Sequence, residues 1–249
     1  TLRGLYINRQ FESRIGLFGS VKGATIENLS LRDGNVQARD GVGGIVGYAE
    51  GAVIRNVSYA GTVDGGRGVG GIVGEANGGS IQNAWNAGKV EGEVSVGGIA
   101  GVAKRGSTFQ NVCNTGTVRS WARQVGGIAG SMENSTVQNV WNAGGVSGGG
   151  GIAGGIAGVA TGGTVSHAVW KTGSAGRAVG EANGSAVVLD THVRTEAEMK
   201  QAATYANWKD ESGNAVVATE GGKGLPWRIY EGKTMPLLTG LMKGTKRLA

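Results

Sequence analysis

The chain has 249 residues, of which 51 are glycine, one is cysteine and 6% are aromatic. Its 24 lysines and arginines exceed its 18 acids by 6, and this modest excess includes no dense basic stripe with interleaved aromatic residues, which argues against nucleic-acid binding. No apolar run approaches the roughly 18 residues that a membrane-spanning helix needs. The single cysteine, Cys113, cannot form an internal disulfide.

A glycine-flanked block of four residues returns every 27 to 29 residues along the first two thirds of the chain. Its copies begin at Gly16, Gly44, Gly71, Gly98, Gly127 and Gly155. An apolar-x-Asn unit follows each of the first five blocks, and a Gly-x-Val unit comes after most of these. Self-similarity at a fixed period is the signature of a solenoid, in which each repeat buries its apolar face against its neighbours.

Short strands explain these units better than helices do. Each unit is glycine-rich or β-branched, and interior glycines cost a helix about 1 kcal/mol each. The sequence therefore predicts an all-β fold, a parallel β-solenoid with about six coils of 27–29 residues over residues 1–188. Right-handed winding, a right-handed β-helix, is the usual result for parallel connections of this kind.

The repeat also predicts which side chains stack between coils. Two apolar columns are expected, one formed by Ile45, Ile72, Ile99, Ile128 and Ile156, the other by Val63, Val90, Val118 and Val146. An asparagine ladder should form at a sharp corner, because stacked carboxamides hydrogen-bond to one another and asparagine tolerates left-handed backbone. The ladder residues are Asn28, Asn56, Asn83, Asn111 and Asn139, and His167 occupies the same position in the sixth copy.

Three later copies share a longer pattern: IQNAWNAGKV at 81–90, FQNVCNTGTV at 109–118 and VQNVWNAGGV at 137–146. Together with the glycine block, which reads GLFG at 16–19, this pattern resembles the GLUG repeat over residues 15–175. GLUG repeats occur in large secreted bacterial proteins: adhesins, filamentous-haemagglutinin-like exoproteins of two-partner secretion, and some IgA-cleaving metallopeptidases. Residues 227–238 resemble the segment that closes such arrays in haemagglutinin-like exoproteins.

The resemblance implies a secreted or surface-exposed bacterial protein that mediates attachment, without implying a particular ligand. It also implies that the parent protein is exported through an outer-membrane two-partner-secretion transporter.

The single cysteine lies where neighbouring copies have Trp85 and Trp141, so we expect Cys113 to be a packing residue and not a nucleophile.

After about Val188 the repeat stops, and residues 189–249 are predicted to form a C-terminal capping segment with one short helix. Thr195 and Glu198 match a capping box at the start of a helix over 195–205. The segment supplies large apolar residues that the coils lack, and these are expected to cover the open end of the solenoid. They are Trp208, Trp227, Ile229, Leu237 and Leu238.

Catalytic chemistry has little support in the sequence. The chain has no HExxH motif, and its two histidines, His167 and His192, cannot form a two-histidine zinc site on one helical turn. A row of acids follows the glycine block at one rough turn position: Glu50, Glu75, Glu133 and Glu181. A carbohydrate-active β-helix would need such acids to meet in a groove, whereas we expect a solvated corner. We therefore predict no catalytic residue, metal or cofactor.

The turn after the Gly-x-Val strand varies most between copies, and recognition usually resides in such variable turns. The richest copy is Arg119–Arg123, in which Arg119 and Arg123 flank Trp121, with Arg67 one or two coils away. An exposed tryptophan between arginines suits an anionic glycan or an acidic protein surface. Alternatively, Trp121 folds back onto the rod and the arginines are merely solvated.

The preferred hypothesis is a monomeric, non-catalytic adhesive or structural segment of a secreted bacterial exoprotein, attaching to a host cell-surface glycan or protein. The alternatives are a carbohydrate-active β-helix enzyme and a module that captures a host protein or another ligand. Two observations distinguish these hypotheses: whether the predicted acidic row converges, and whether the turn at 119–123 is exposed.

Overall fold

The computed structural model describes residues 1–220 and 224–242, so part of the predicted segment 189–249 lies outside the described residues. Seventeen hydrogen-bonded strands wind into a parallel β-solenoid of about six coils. The strands are β1 (Leu2–Arg3), β2 (Tyr6–Arg9), β3 (Phe18–Lys22), β4 (Thr25–Ala38), β5 (Asp40–Gly43), β6 (Val46–Gly70), β7 (Val73–Asn86), β8 (Lys89–Gly97), β9 (Ala100–Lys104), β10 (Thr108–Asn114), β11 (Val118–Gly126), β12 (Ala129–Asn142), β13 (Val146–Gly148), β14 (Ala153–Gly154), β15 (Ala157–Lys171), β16 (Val179–Asn183) and β17 (Val187–Arg194). The predicted all-β solenoid is confirmed.

Coil stacking follows the sequence repeat, because each residue pairs with its equivalent one repeat later. Val63 pairs with Val90, Val90 with Val118, and Val118 with Val146, which confirms the predicted valine column. The predicted isoleucine column is also confirmed. Its five members are fully buried, and each of the first four donates its backbone N–H to the carbonyl of the next at 2.8–3.1 Å.

A second asparagine ladder, which the sequence analysis did not single out, runs through the buried interior. Asn86, Asn114 and Asn142 are fully buried, and each carboxamide nitrogen of the first two donates to the next asparagine's Oδ1 at 2.8 Å. Each asparagine also closes a turn with the glycine two residues later; Asn114, for example, accepts from the N–H of Gly116 and donates to its carbonyl. The ladder therefore satisfies the turn backbone inside the rod, where water cannot do so.

This inner ladder explains the first glycine of the repeated block. A Cβ at Gly98 would lie 2.5 Å from the carboxamide carbon of Asn114, and a Cβ at Gly71 would lie 2.6 Å from Oδ1 of Asn86. No side chain fits there, since real Cβ atoms do not approach so closely. The glycine block and the inner asparagine are thus two halves of one packing unit.

The predicted corner ladder is present in part. All five asparagines have left-handed backbone, with φ between 52° and 57°, as a sharp corner requires. Carboxamide hydrogen bonds, however, link only Asn28, Asn56 and Asn83, at 3.3 and 3.1 Å. The expectation of a continuous ladder is wrong for Asn111 and Asn139, because the carboxamides of these two bond instead to the C-terminal segment.

The C-terminal segment contains short 3-10 helices instead of the predicted helix over 195–205. These are Glu198–Lys200, Ala202–Tyr205 and Thr239–Leu241, and a small sheet is formed by β18 (Val217–Ala218), β19 (Trp227–Arg228) and β20 (Leu237–Leu238). The capping box is confirmed: the Thr195 N–H donates to Glu198 Oε2 at 2.7 Å, and the Glu198 N–H donates to Thr195 Oγ1 at 3.3 Å. The helix breaks at Gln201, whose backbone is extended, and the next N–H donates to the Glu231 carboxylate.

The segment lies along the flank of the solenoid, so the prediction that it covers the open end is wrong. Its core, which includes Trp208 and Trp227, packs on an outward-facing stripe formed by Cys113, Trp141 and Val169 of three successive coils. Trp227 Nε1 donates to Asn111 Oδ1 at 3.1 Å, and Asn139 Nδ2 donates to the Lys209 carbonyl at 2.9 Å. An apolar stripe on a sheet face has to be buried against another layer, and the segment supplies that layer.

The last coil remains open at its outer edge. Val187, Val188 and Leu189 in β17 are 37–57% exposed, so the described part of the C-terminal segment does not cover them. β17 pairs with β15 as far as Arg194, and coil stacking therefore continues past residue 188. Within residues 1–220 and 224–242, no helix is long and apolar enough to cross a membrane.

Candidate functional site

Variable turns follow the Gly-x-Val strand and stack into one side of the rod, which we call the variable edge (residues 37–40, 64–67, 91–94, 119–123 and 147–150). Pairing along β4, β5, β6, β8, β11 and β13 sets two columns on it. One column is Gln37, Asp64, Glu91, Arg119 and Ser147, and the other is Asp40, Arg67, Val94 and Arg123. The first three turns of this edge therefore carry more acids than arginines, whereas the turn at 119–123 carries two arginines and no acid.

Trp121 protrudes from this edge because its coil carries an irregularity there. The pairing of β11 with β8 shifts register between Ser120 and Arg123, so the intervening residues bulge outward. Ser120 is buried, and its hydroxyl lies 2.6 Å from the Glu93 carbonyl oxygen and 2.9 Å from that of Arg123. Trp121 itself is 46% exposed, so about half of its surface faces solvent.

Arg119 and Arg123 are both exposed, and neither side chain forms an ion pair or hydrogen bond with a described residue. Arg119 and Trp121 line a shallow depression of about 350 Å³, together with Ser147 and the glycines after it. The structure therefore brings together an unpaired cation and an exposed indole beside a glycine-rich surface that leaves space for a ligand.

Arg67 lies in a different depression. It is two coils from Arg123 in the same column, with Val94 between them. It lines a depression of about 450 Å³ together with Asp40, Asp64 and Glu93, and its backbone N–H donates to Asp40 Oδ1 at 2.9 Å. Three acids and Arg39 line the same depression as Arg67, so Arg67 is separated from the Arg119–Trp121 depression in position and lies in a more acidic environment.

Asp64 and Glu91 are the acids that stacking brings side by side, and the sequence analysis missed them. Burial, and secondarily the charge of Glu91, raises the pKa of the Asp64 carboxyl, while Lys89 forms an ion pair with Glu91 at 2.8 Å. The signal was present in the sequence, because both acids directly follow the valine of a Gly-x-Val unit.

The acids that the sequence analysis did single out do not converge. Glu50 pairs in register with Asn77, whereas Glu75 pairs with Tyr48 and so lies two residues away from that column. Each is bound by a lysine of a neighbouring coil: Glu50 by Lys22 at 2.8 Å, and Glu75 by Lys104 at 3.3 Å. The hydrogen bond from Lys22 lowers the pKa of Glu50. The expectation of a single acidic row is therefore wrong. Glu75 lies one residue after the end of its glycine block, whereas Glu50 lies three residues after the end of its own block.

Both histidines contact Asp190 near the end of the solenoid. His167 takes the predicted corner position with φ of 48°, and Asp190 continues that position with φ of 47°. Asp190 Oδ1 lies 2.8 Å from His192 Nε2, and its Oδ2 lies 3.7 Å from His167 Nε2. Across the described residues, no group of three or more histidines, cysteines or acids is arranged to hold a metal ion.

Cys113 is a packing residue, as predicted. Its side chain is 3% exposed within the core formed with the C-terminal segment, and burial raises the pKa of its thiol well above the usual value. A neutral, enclosed thiol is a poor nucleophile.

Comparison with known proteins supports the repeat assignment. Residues 39–64, which contain the glycine block that begins at Gly44 and the corner residue Asn56, match the sequence model of the GLUG motif. No curated protein matches the chain. A crystal structure from Bacteroides ovatus, provisionally assigned as an immunoglobulin A1 protease, is similar with a TM-score of 0.63 and 16% identity, covering 96% of this chain and 74% of that one. Similarity at this identity concerns the fold alone. The chain therefore matches the GLUG motif over residues 39–64 and is folded as a parallel β-solenoid.

Proposed function

We propose that this chain is a non-catalytic, adhesive rod of a secreted bacterial exoprotein, which attaches to an anionic glycan on a host surface through Arg119, Trp121 and Arg123. The observation that carries the proposal is an exposed tryptophan, Trp121, flanked in the same turn by two exposed arginines that have no partner among the described residues. Two arginine side chains without an acidic partner beside a half-exposed aromatic ring favour a role in binding.

The chemistry of the turn matches a sulfated or carboxylated sugar. The flat apolar face of a sugar ring can stack on the indole, and guanidinium groups make strong, charge-assisted hydrogen bonds to carboxylate or sulfate oxygens. The formal net charge of +6 adds a weak attraction toward polyanions. The acids around Arg67 would repel such a ligand, so we assign Arg67 to the periphery of the site.

Extracellular location and lack of catalysis are part of the same proposal. GLUG-repeat proteins are typically extracellular, and export of the parent protein through an outer-membrane two-partner transporter fits this chain as a monomeric rod. The ion pairs of Glu50 and Glu75 with lysines suit a stabilising role for these acids better than an acid–base role. The provisional protease assignment belongs to the Bacteroides ovatus protein and would, if transferred, favour an enzyme.

The test compares the wild-type protein with the variant Arg119→Ala/Trp121→Ala/Arg123→Ala on host cells and on a panel of anionic and neutral glycans. A matched control, Arg3→Ala/Arg9→Ala/Phe11→Ala, removes two arginines and one exposed aromatic residue from the first coil. We expect saturable binding to anionic glycans by the wild type and the control, and loss of binding in the site variant.

Three results would contradict the proposal. Binding that survives in the site variant would place recognition elsewhere, and binding to cells stripped of glycans would indicate a protein partner. Cleavage of panel glycans, abolished by Asp64→Asn, would support the carbohydrate-active enzyme instead.

A further inference from the structure

An apolar pocket of about 310 Å³ lies between the flank of the solenoid and the C-terminal segment. Its solenoid wall is formed by Trp85, Cys113 and Trp141, which stack in register on three successive coils. Its other wall is formed by residues 236–238, 241 and 242. Ligand pockets span about 300 to 1,000 Å³ and concentrate at seams between structural units, so both the size and the place suit a small ligand.

The walls of the pocket offer few polar groups, of which the indole N–H of Trp141 is buried without a hydrogen-bond partner. The Thr115 hydroxyl already accepts the Trp85 indole N–H at 3.0 Å. The Cys113 thiol is neutral because burial raises its pKa. A polar molecule would replace few of its hydration hydrogen bonds in this pocket, whereas an aliphatic or aromatic body would gain about 25 cal/mol for each Å² of apolar surface removed from water.

Arg32 supplies the one strong charge in the lining that the structure describes. Its side chain is exposed and forms no ion pair or hydrogen bond with a described residue. Arg3 pairs with it in register on the neighbouring strand, so two like charges lie side by side, and only Arg3 has an acidic partner, Asp33 at 3.6 Å. This arrangement favours an anion next to Arg32.

We propose that this pocket binds a small amphipathic carboxylate, with its apolar body between Trp85, Trp141 and Leu241 and its carboxylate paired to Arg32. The bound molecule would contact the solenoid and the C-terminal segment at once. Binding would therefore stabilise the docked segment, because any ligand that prefers the docked state shifts the equilibrium toward it.

The probe is octanoate, titrated into the purified protein by calorimetry and followed in parallel as a shift in melting temperature. The neutral alcohol octanol has the same chain length and serves as the matched ligand. Arg32→Gln removes the charge, Leu241→Trp fills the pocket, and Arg177→Gln removes an exposed arginine elsewhere as the control.

Octanoate should bind the wild type and Arg177→Gln equally, raising the melting temperature of both. Arg32→Gln should weaken octanoate about tenfold while leaving octanol unchanged. Leu241→Trp should abolish binding of both molecules. Three results would overturn the proposal. They are a wild type that does not bind octanoate, pocket variants that both bind octanoate as the wild type does, and a wild type that binds octanoate no more tightly than octanol. Because Arg32→Gln alters only an exposed side chain, its result remains decisive if Leu241→Trp disturbs the segment.

Discussion

Replacing Asn114 with alanine is expected to lower the free energy of unfolding by about 3 to 5 kcal/mol. Its carboxamide donates to Asn142 Oδ1 and to the Gly116 carbonyl, both at 2.8 Å. Its Oδ1 accepts from Asn86 Nδ2 at 2.8 Å and from the Gly116 N–H at 3.2 Å. The substitution removes all four hydrogen bonds. Asn86 Nδ2 keeps its bond to the Gly88 carbonyl and Asn142 Oδ1 keeps its bond from the Gly144 N–H, whereas the N–H and carbonyl of Gly116 lose these partners. Each buried group that finds no replacement costs about 1 to 3 kcal/mol.

Urea unfolding followed by circular dichroism measures this loss. The control is Asn28→Gly, which removes an exposed corner carboxamide at a φ of 57° that glycine adopts without strain. We expect the control to change the free energy of unfolding by less than about 1 kcal/mol. Equal losses in the two variants would mean that the inner ladder contributes no more than an exposed one.

Replacing Trp227 with alanine is expected to release the C-terminal segment from the flank. Trp227 is fully buried, its ring lies 5.8 Å from that of Trp208 and 6.5 Å from that of Trp141, and it donates to Asn111. Truncating a buried tryptophan costs about 3 to 5 kcal/mol, and here the cost falls on the docking of a segment that shields Cys113. The opened state should therefore become at least about 100-fold more populated.

Modification of Cys113 by a thiol reagent reports that opening, because it is the chain's one cysteine. The wild type should react slowly, and Trp227→Ala should react at least about 100-fold faster. Trp121→Ala, which truncates an exposed tryptophan on the variable edge, should react like the wild type. A wild-type thiol that reacts at once, or a Trp227→Ala thiol that stays protected, would show that the segment does not cover the flank.

The repeat was sufficient to predict the solenoid, because one fixed period sets both the coil length and the pairing of equivalent residues. It predicted the two apolar columns and the left-handed corner for the same reason. The repeat did not distinguish the two asparagines of the three copies that have both, since only the direction of each side chain decides which one points into the rod. Asn114 points into the rod, while Asn111, three residues earlier, contacts the C-terminal segment.

The errors concern features that depend on small offsets or on the third dimension. Glu50 and Glu75 seemed equivalent in the sequence, although a difference of two residues relative to the glycine block separates them on the rod. Trp85, Cys113 and Trp141 were expected to pack along one face of the rod. The C-terminal segment, which covers this stripe, was instead expected at the end of the rod. Side chains that project outward on successive coils can be covered only from the flank.

Recognition at the turn of residues 119–123 is tested most directly by the affinities of two single variants, Trp121→Ala and Arg67→Ala, for the anionic glycan that the wild type binds best. Trp121→Ala should weaken binding at least about tenfold, corresponding to about 1.4 kcal/mol for a lost aromatic contact. Arg67→Ala should leave the affinity within about twofold, because Arg67 lies two coils away among acids. Wild-type affinity in Trp121→Ala, or a larger loss in Arg67→Ala than in Trp121→Ala, would contradict the proposed site.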